Sequence, residues 1–452
     1  MKSAFRSPSR TVLYWSIFGL GLALSIVMAL RSQVEPDQVN QLRFGWWWVA
    51  HGVIMPHGMP TSAGGFSPGG MITLVSGIPL MIWWDFRALA LSIVVINMAA
   101  FLFLERSIRP ALGSRGRWLL LLLLWLGPWR MVFSSFIWPP NYALPMGLLH
   151  LATAVHMRRK SIAWATFAHV LLIGFGAQLH SSAALLALLS IALFATRLIK
   201  VHWGAFAAAT AATLLSLIPW VRAVTADPSL IPAGAGFPFR GLTLIYPMVR
   251  GFGYTLRMAS LSMPTRLTNF DFTPAFGAGT DAVLVPPMTL LAGVAHLSVL
   301  VPIWAVARLF RKAHRRHPWS QEAEGPLRGW LKGYLIVACC TAILSFAAAP
   351  TTIMYWQAQV LMVTIVLTVV IPLEAILRTR RRPALLRLLS IWALASVLLV
   401  AAITAAGPMF RQGGRKAAVA VLTAEEPLID ELGLRNHCSI TIVPEYDWEH
   451  PD

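Results

Sequence analysis

The segment Val34–Gly52, VEPDQVNQLRFGWWWVAHG, closely follows the first long apolar run of the chain, Thr11–Leu30. About 20 apolar residues are enough to cross the hydrocarbon core of a bilayer as a helix. Tryptophan prefers the headgroup level, so the three consecutive tryptophans predict that the chain leaves the bilayer here and runs along its surface. Two acids, Glu35 and Asp37, are thereby expected at the membrane edge.

The composition of the 452-residue chain extends this interpretation to its whole length. Hydrophobic residues make up 57% of the sequence and charged residues 12%, and the mean hydropathy is +0.66. A soluble globular protein carries about 25% charged residues. We therefore predict an all-α polytopic membrane protein with about 11 transmembrane helices. The predicted spans are about 11–30, 86–104, 118–138, 142–157, 162–177, 181–196, 204–220, 287–307, 333–349, 353–376 and 386–406.

The strongly basic net charge of +19 follows the predicted topology. With the N-terminus in the cytosol, the inside segments hold 24 of the 37 Lys and Arg residues but only 4 of the 18 Asp and Glu residues. Membrane proteins carry such an excess of positive charge on the cytoplasmic side. The basic balance therefore indicates topology, and we expect no nucleic-acid partner.

In this topology the long segments between the spans lie on the extracytoplasmic side of the membrane. We predict a transmembrane module over residues 1–406, with outer loops at about 31–85 and 221–286, and an extracytoplasmic C-terminal tail over 407–452. The alternating stretch HCSITIVPEYDW near the end of the tail favours one or two strands. The chain contains neither a Walker A nor a GxGxxG motif, so the chemistry is expected on the extracytoplasmic side.

The first outer loop is predicted to hold two short helices at the membrane surface. Pro36 and Asp37 are typical of a helix start, with Asp37 as the N-cap. The stretch GVIMPHGMPTSAGGFSPGGM, residues 52–71, is expected to be irregular because it contains so many Gly and Pro residues. The apolar stretch at 72–84 is too short to span, which favours a second interfacial helix.

Cysteine and histidine residues give no metal or disulfide framework. Cys339 and Cys340 are adjacent within one span and Cys438 stands alone in the tail, so we expect no disulfide. His51 and His57 form a weak metal pair, six residues apart in a flexible loop. We therefore predict no metal site and no cofactor. A bound divalent metal ion is kept as the alternative.

Five short motifs occur in a fixed order along the chain. They are Asp37-Gln38, FIWPPNYALP (Phe136–Pro145), GFGAQLHSSAAL (Gly174–Leu185), LIPWVRAV (Leu217–Val224) and IMYWQAQV (Ile353–Val360). Together with the topology, they resemble the GT-C integral-membrane glycosyltransferases, in the branch that contains protein O-mannosyltransferases and the lipid A aminoarabinose transferase. That family has an Asp-Glu pair at the position of Asp37-Gln38, a second acid at the position of Asn141, and often a basic residue at the position of His180.

The resemblance implies transfer of a sugar from a polyprenyl-phosphate donor to an extracytoplasmic glycolipid, glycan or protein, in a bacterial inner (plasma) membrane, with inversion at the anomeric carbon. Such a site needs a base for the acceptor hydroxyl, for which Asp37 is the candidate. It also needs cations or N–H donors for the departing phosphate. The candidates for the phosphate are Arg130, His180, Arg240, Arg250, Arg257 and Arg266, and those for an acceptor or loop site are Glu35, His51, His57, Asn141 and Tyr355.

Several residues also have purely structural interpretations. Asp37 can act as a helix cap alone, worth about 1 kcal/mol, and Glu35 can be a solvated neighbour or the base itself. Arg130 lies within an apolar span, where a structural pair is as plausible as a functional role. At the level of function, a lipid-linked sugar flippase, a non-catalytic scaffold, and a ligase or polymerase with a lipid-diphosphate donor stay open.

Overall fold

The computed structural model of the chain describes residues 10–61, 65–231, 245–315, 326–349, 353–379, 382–410 and 415–423. Over these residues the chain is predominantly helical, with one short pair of strands between the second and third helices. The helices are α1 Arg10–Arg31, α2 Pro36–His51, α3 Met71–Ile82, α4 Phe86–Ile108, α5 Ser114–Leu120, α6 Pro128–Phe133, α7 Ala143–Met157, α8 Ala163–Leu179, α9 Ala183–Ala195, α10 Trp203–Ser216, α11 Ile218–Ala226, α12 Ile245–Met258, α13 Thr273–Phe276, α14 Thr280–Ala295, α15 Leu300–Arg315, α16 Pro326–Ala347, α17 Tyr355–Ala358, α18 Met362–Ile376, α19 Arg382–Ala406 and α20 Arg415–Thr423.

The prediction of an all-α polytopic membrane protein is confirmed. Within the described ranges, seven helices are long and apolar enough to cross a membrane. Every predicted span coincides with a helix or with a helix that is broken once, while the number of eleven crossings stays a prediction. The core lies among α4, α7, α16 and α18, and almost every residue of α18 is buried.

The predicted span at 118–138 is broken in its middle. A π-helical turn, Leu121–Trp125, follows α5, and the chain then restarts as α6 at Pro128, whose ring prevents a continuous helix. The break leaves the carbonyl of Trp125 without its helical partner. The buried guanidinium of Arg130 donates to this carbonyl, with its Nε 2.8 Å away, and to the hydroxyl of Ser25 on α1 at 2.7 Å. Arg130 therefore supplies the hydrogen bond that the Trp125 carbonyl lacks at the break, and it links α6 to α1.

The ends of α1 and α19 are tied together at one end of the bundle, which we call the loop end. Arg31 donates from Nε to the carbonyl of Thr404 at 3.0 Å and thus satisfies the C-terminus of α19. The amide of Gln33 donates to the carbonyl of Met409 at 2.9 Å. The chain that leaves α1 is consequently fixed before α2 begins.

The helices α2 and α3 pack closely across the loop end. A Cβ at Gly45 of α2 would lie 2.6 Å from the backbone of Ser76, and a Cβ at Gly77 of α3 would lie 2.3 Å from the ring of Trp48. Only glycine permits this approach, since real Cβ contacts are never so short. The predicted pair of short helices in the first loop is therefore present.

The expectation that residues 52–71 are irregular was wrong. Two antiparallel strands, β1 His57–Pro60 and β2 Phe66–Pro68, form a hairpin. Gly65 and Gly69 adopt positive φ values of 60° and 76°, so two of the glycines that seemed to forbid regular structure lie directly before and after β2. The hairpin rests on the end of α8, where a Cβ at Gly69 would strike the side chain of Gln178 at 2.2 Å.

The described part of the tail forms a helix that docks on the first loop. Ala418 and Ala420 of α20 are fully buried in a cluster with Val39 and Leu42 of α2. The indole of Trp84 donates to the carbonyl of Leu422 at 3.2 Å. The strands predicted near the end of the tail lie outside the described residues, and the proposed division at 406/407 stays a prediction.

Glu374, near the C-terminal end of α18, is the centre of a buried ionic cluster at the end of the bundle opposite the loop end. Its carboxylate accepts from Nη1 of Arg328 at 2.6 Å, from Nη2 of Arg378 at 2.9 Å and from the amide of Gly113 at 3.1 Å. The side chain of Glu374 is 1% exposed and that of Arg328 is 10% exposed. The carboxylate thus joins α16, α18 and the turn before α5.

We predict that Glu374→Ala lowers the free energy of unfolding by about 3–5 kcal/mol, because it leaves the Arg328 guanidinium buried without its counter-charge. Thermal unfolding of the purified protein in nanodiscs measures the effect. Arg378→Gln is the control, since the Arg378 side chain is 58% exposed and such a pair contributes less than about 1 kcal/mol. Equal shifts of the two variants would contradict the account.

Candidate active site at the loop end

The start of α2 differs from its prediction by two residues. Glu35, and not Asp37, is the N-cap, and it forms a capping box in which Oε1 of Gln38 accepts from the Glu35 amide at 2.8 Å. Pro36 follows as the first helical residue, where its missing N–H costs nothing. The N-cap prediction for Asp37 was therefore wrong. The helix-capping role that the sequence suggested for Asp37 is carried out by Glu35.

Asp37 is exposed and points toward the chain that follows α6. Its Oδ2 accepts from the indole Nε1 of Trp138 at 3.2 Å. Trp138 precedes a short 3₁₀ helix, Pro139–Tyr142, within the motif FIWPPNYALP. The first and second motifs of the sequence analysis thus meet at the loop end.

A chain of aromatic rings continues from Trp138 across the loop end. Trp138 and Trp356 form an edge-to-face pair with centroids 5.3 Å apart, and Trp356 contacts Tyr355 at 4.9 Å. Tyr355 in turn contacts Tyr254 of α12 at 5.9 Å. These rings connect the segment before α7, the start of α17 and the helix α12.

Three of the candidate arginines border this aromatic chain. Nη2 of Arg266 lies 3.7 Å from Oε2 of Glu35, and the phenol of Tyr355 is within electrostatic range of both charges. Arg250 lies over the rings of Tyr246 and Tyr254. Arg257 also approaches Tyr254, at 5.9 Å from the ring centroid. Arg240 lies outside the described residues.

The arginines differ in how much of each guanidinium is already engaged. Arg257 donates from Nε to Ser262 and from Nη2 to the carbonyl of Met263, and burial lowers its pKa from the ordinary value. Arg250 donates to the hydroxyl of Tyr246 and contacts the sulfur of Met354. The side chain of Arg266 is 69% exposed. Arg266 and Arg250 are consequently the better placed to reach an anion from outside the protein.

We call these residues the loop-end site: Glu35, Asp37, Trp138, Arg250, Tyr254, Arg257, Arg266, Tyr355 and Trp356. It combines an exposed carboxylate that can accept a proton, guanidinium groups that can hold an anion, and aromatic faces against which an apolar sugar face can pack. Trp138, Tyr254 and Trp356 were not among the predicted site residues. The dipeptides that contain Trp138 and Trp356, Trp-Pro and Tyr-Trp, lie in quoted motifs and were the available signal.

Five other predicted residues lie outside the loop-end site: Arg130, His51, His57, His180 and Asn141. Arg130 is buried at the break after Trp125, with the contacts described above, rather than at the loop-end site. His51 ends α2 against the rings of Trp46 and Trp47. His57 lies in β1 against Phe66, and burial lowers its pKa.

His180 lies in the turn between α8 and α9. Its Nδ1 is 2.7 Å from the hydroxyl of Ser182, and burial lowers its pKa from 6.5 to about 4. Within the described ranges, no hydrogen bond or ion pair joins it to Asp37 or to the arginines. A neutral imidazole can offer one N–H to a phosphate but no charge.

Asn141 is fully buried beneath the loop-end site. Its Nδ2 donates to the carbonyl of Phe136 at 2.7 Å, and its Oδ1 has no partner among the described residues. At the position where the resembled family has an acid, this chain therefore places a neutral amide in the protein interior.

The arrangement of helices has a counterpart among solved structures. The crystal structure of ArnT from Cupriavidus metallidurans bound to undecaprenyl phosphate aligns with a TM-score of 0.50 and 13% sequence identity, over 94% of this chain and 72% of ArnT. The fold is that of ArnT. The apo structure of the same protein aligns with a TM-score of 0.49 and 12% identity, over 94% of this chain and 77% of ArnT.

ArnT is a lipid A aminoarabinose transferase of the GT-C fold, so the predicted resemblance to GT-C proteins is confirmed at the level of fold. No protein family profile matches the sequence. No characterised protein matches it by sequence either. Because the identity to ArnT is so low, the likeness concerns the path of the chain and not its individual side chains.

The lowered pKa of His180 predicts a pH dependence of stability. The unfolded chain binds a proton near pH 6.5 and the folded chain only near pH 4, so the folded state loses stability as the pH falls through this window. We expect His180→Gln to lose less of its thermal midpoint than wild type between pH 6.5 and about 4. Ser181→Ala, a change of an exposed neighbour in the same turn, is the control. Identical slopes for wild type and His180→Gln would contradict the assignment.

Proposed function

We propose that the chain is a glycosyltransferase that moves a sugar from a polyprenyl-phosphate donor to an extracytoplasmic acceptor. The observation that carries the proposal is the meeting of an exposed carboxylate, Asp37, with the arginine-bordered aromatic chain at one end of a GT-C fold. The positive-inside distribution of charge supports an inner-membrane location with the loop end outside the cytosol.

The donor class is supported by chemistry and by the structural neighbour. The neighbouring ArnT structure contains undecaprenyl phosphate. A lipid phosphate keeps its tail in the bilayer and its anionic headgroup at the surface, where the loop end of this chain carries Arg250 and Arg266. Guanidinium groups form strong, charge-assisted hydrogen bonds with phosphate oxygens.

The proposed reaction is a direct displacement at the anomeric carbon. Asp37 accepts the proton of the acceptor hydroxyl while the hydroxyl oxygen forms a bond to the anomeric carbon. The bond between that carbon and the phosphate oxygen breaks, and the polyprenyl phosphate leaves as an anion that the arginines stabilise. Attack from the face opposite the phosphate inverts the anomeric centre. The acceptor is a glycolipid, a glycan or a protein, and the proposal assigns no metal or cofactor to these steps.

The structure favours Asp37 over Glu35 as the base. The carboxylate of Glu35 is already engaged, because Glu35 is the N-cap of α2 and its Oε2 lies 3.7 Å from Nη2 of Arg266. Asp37 has only the neutral indole of Trp138 as its hydrogen-bond partner in the described ranges. Glu35 is thus better suited to position α2 and Arg266 than to take a proton.

We predict that Asp37→Asn lowers the rate of sugar transfer by about 10²–10⁴-fold, the usual contribution of a positioned base. A deletion strain complemented with wild type or variant, at equal protein levels, is compared by mass spectrometry of its surface glycolipids and glycans. The expected result is the same hexose- or pentose-sized loss in the deletion strain and in Asp37→Asn.

Asp227→Asn is the matched control for Asp37→Asn. Asp227 is an acid of the second outer loop whose carboxylate accepts from the amide of Ser229 at the start of a short 3₁₀ helix. We expect this variant to retain the wild-type glycan pattern. Full rescue of the deletion strain by Asp37→Asn would refute the role of Asp37 as base.

We predict that Arg266→Gln raises the apparent KM for the lipid-linked donor about tenfold or more, because it removes a charge-assisted contact to phosphate worth about 1.5–3 kcal/mol. Transfer is measured with purified protein in nanodiscs at a series of donor concentrations. Arg222→Gln serves as control, since Arg222 is an exposed arginine of α11 outside the loop-end site. An unchanged KM for Arg266→Gln would remove this residue from the phosphate site.

A further inference from the structure

Three fully buried amide side chains near the loop-end site lack hydrogen-bond partners for some of their atoms. Within the described ranges, Oε1 of Gln41 and Oδ1 of Asn141 accept no hydrogen bond, and Gln359 uses neither its Oε1 nor its Nε2. Buried polar atoms are normally paired in folded proteins, and each unpaired atom lowers stability. We call Gln41, Asn141 and Gln359 the amide layer.

Each member of the amide layer lies one helical turn beyond a member of the loop-end site. Gln41 follows Asp37 by four residues on α2. Gln359 follows Tyr355 by four residues and begins the 3₁₀ turn between α17 and α18. Asn141 follows Trp138 by three residues, and the backbone N–H of Asn141 donates to the backbone carbonyl of Trp138 at 3.0 Å. Side chains three or four residues apart share one helix face.

The elements that carry the amides also pack against one another. Nε2 of Gln41 donates to the hydroxyl of Tyr142, next to Asn141, at 3.3 Å. The 3₁₀ helix that contains Asn141 contacts α17, and the turn that contains Gln359 contacts α7. The contact with α7 is so close that a Cβ at Gly147 would lie 2.1 Å from the carbonyl oxygen of Val360. The three amides therefore belong to one region beneath the loop-end site.

The chemistry of this region selects for a particular partner. An amide offers both a donor and an acceptor, and a sugar hydroxyl needs both. Together with the hydroxyl of Tyr142, the amide layer contains no charged side chain. A region built to hydrogen-bond hydroxyls discriminates strongly against ligands that cannot return those bonds, and an uncompensated charge is costly in a buried site.

We propose that the amide layer recognises the hydroxyl groups of the donor's sugar and that this sugar is uncharged, neither an amino sugar nor a uronic acid. The inference rests on the proposed function, because it assigns the sugar of the lipid-linked donor to a region next to the candidate base. In this arrangement the loop-end site handles the proton and the phosphate, and the amide layer orients the ring.

The test compares binding of four probes to the full chain in nanodiscs: a short polyprenyl phosphate, and the same lipid phosphate bearing a neutral hexose, an amino pentose or a hexuronic acid. We expect the neutral hexose to improve affinity at least about tenfold over the bare lipid phosphate, the equivalent of one or two net hydrogen bonds. The charged sugars should give no such gain.

Gln359→Leu is the decisive variant because neither amide atom of Gln359 has a hydrogen-bond partner among the described residues that the change would leave unpaired. We expect it to bring the gain from the neutral hexose to within about twofold of unity, while the thermal midpoint of the ligand-free protein stays the same or rises. Asn97→Leu is the control, since Asn97 of α4 is also fully buried and its Oδ1 has no partner in the part of the chain that the structure describes, but it lies outside the amide layer.

Two outcomes would overturn the inference: a wild type to which the neutral sugar adds no affinity, or a Gln359→Leu protein that keeps the full gain. A preference for the amino or uronic probe would overturn it as well. If the sugar-dependent gain is present and lost in Gln359→Leu while no sugar is ever transferred, the inference on sugar recognition holds and the proposed transferase activity fails.

Discussion

The capping box between Glu35 and Gln38 fixes where α2 begins, and the arrangement of the loop-end site depends on it. An α-helix turns by about 100° per residue, so a start displaced by one position would point Asp37 away from Trp138. The link before it is equally constrained, because Arg31 binds the C-terminal carbonyls of α19 and Gln33 binds the carbonyl of Met409. The helix α20 then covers the apolar face of α2. The position of one carboxylate thus depends on three segments distant in sequence: the end of α19, the turn at Met409 and α20.

The fold class could be predicted because it follows from strong, simple patterns. Apolar runs of spanning length, the distribution of Lys and Arg, and the tryptophans at 46–48 all point to the same architecture. The motifs FIWPPNYALP and IMYWQAQV lie together at the loop end, through the contact of Trp138 with Trp356.

The errors concern residues whose roles depend on tertiary contacts. Asp37 looked like an N-cap, but Pro36 at the first helical position moves the cap to Glu35. The phosphate role of Arg130 stays a prediction, because its guanidinium donates to a carbonyl beside a π-helical turn that the apolar sequence LLLLW does not predict. The hairpin around Gly65 and Gly69 required the packing surface of Gln178, which comes more than a hundred residues later.

Among the described residues, buried polar and charged side chains are paired at most positions, and several departures from this rule lie near the loop end. Arg130 and Glu374 show how buried charges in this chain find partners. Gln359 is fully buried as well, but neither of its amide atoms has a hydrogen-bond partner among the described residues. Proteins commonly give up stability at sites that bind ligands, and departures from local rules concentrate there. On this view the buried amides and the exposed Asp37 belong to one functional region, and the paired charges elsewhere belong to the scaffold.

The central claim is that this chain consumes a lipid monophosphate sugar. The most direct measurement supplies a polyprenyl-phosphate hexose, radiolabelled in the sugar, to native membranes with and without the chain and identifies the lipid that is released. The account predicts polyprenyl monophosphate and transfer of the label to a non-lipid-phosphate acceptor, only where the chain is present. A label that crosses the bilayer still attached to its lipid, or a reaction that requires a lipid diphosphate, would contradict it.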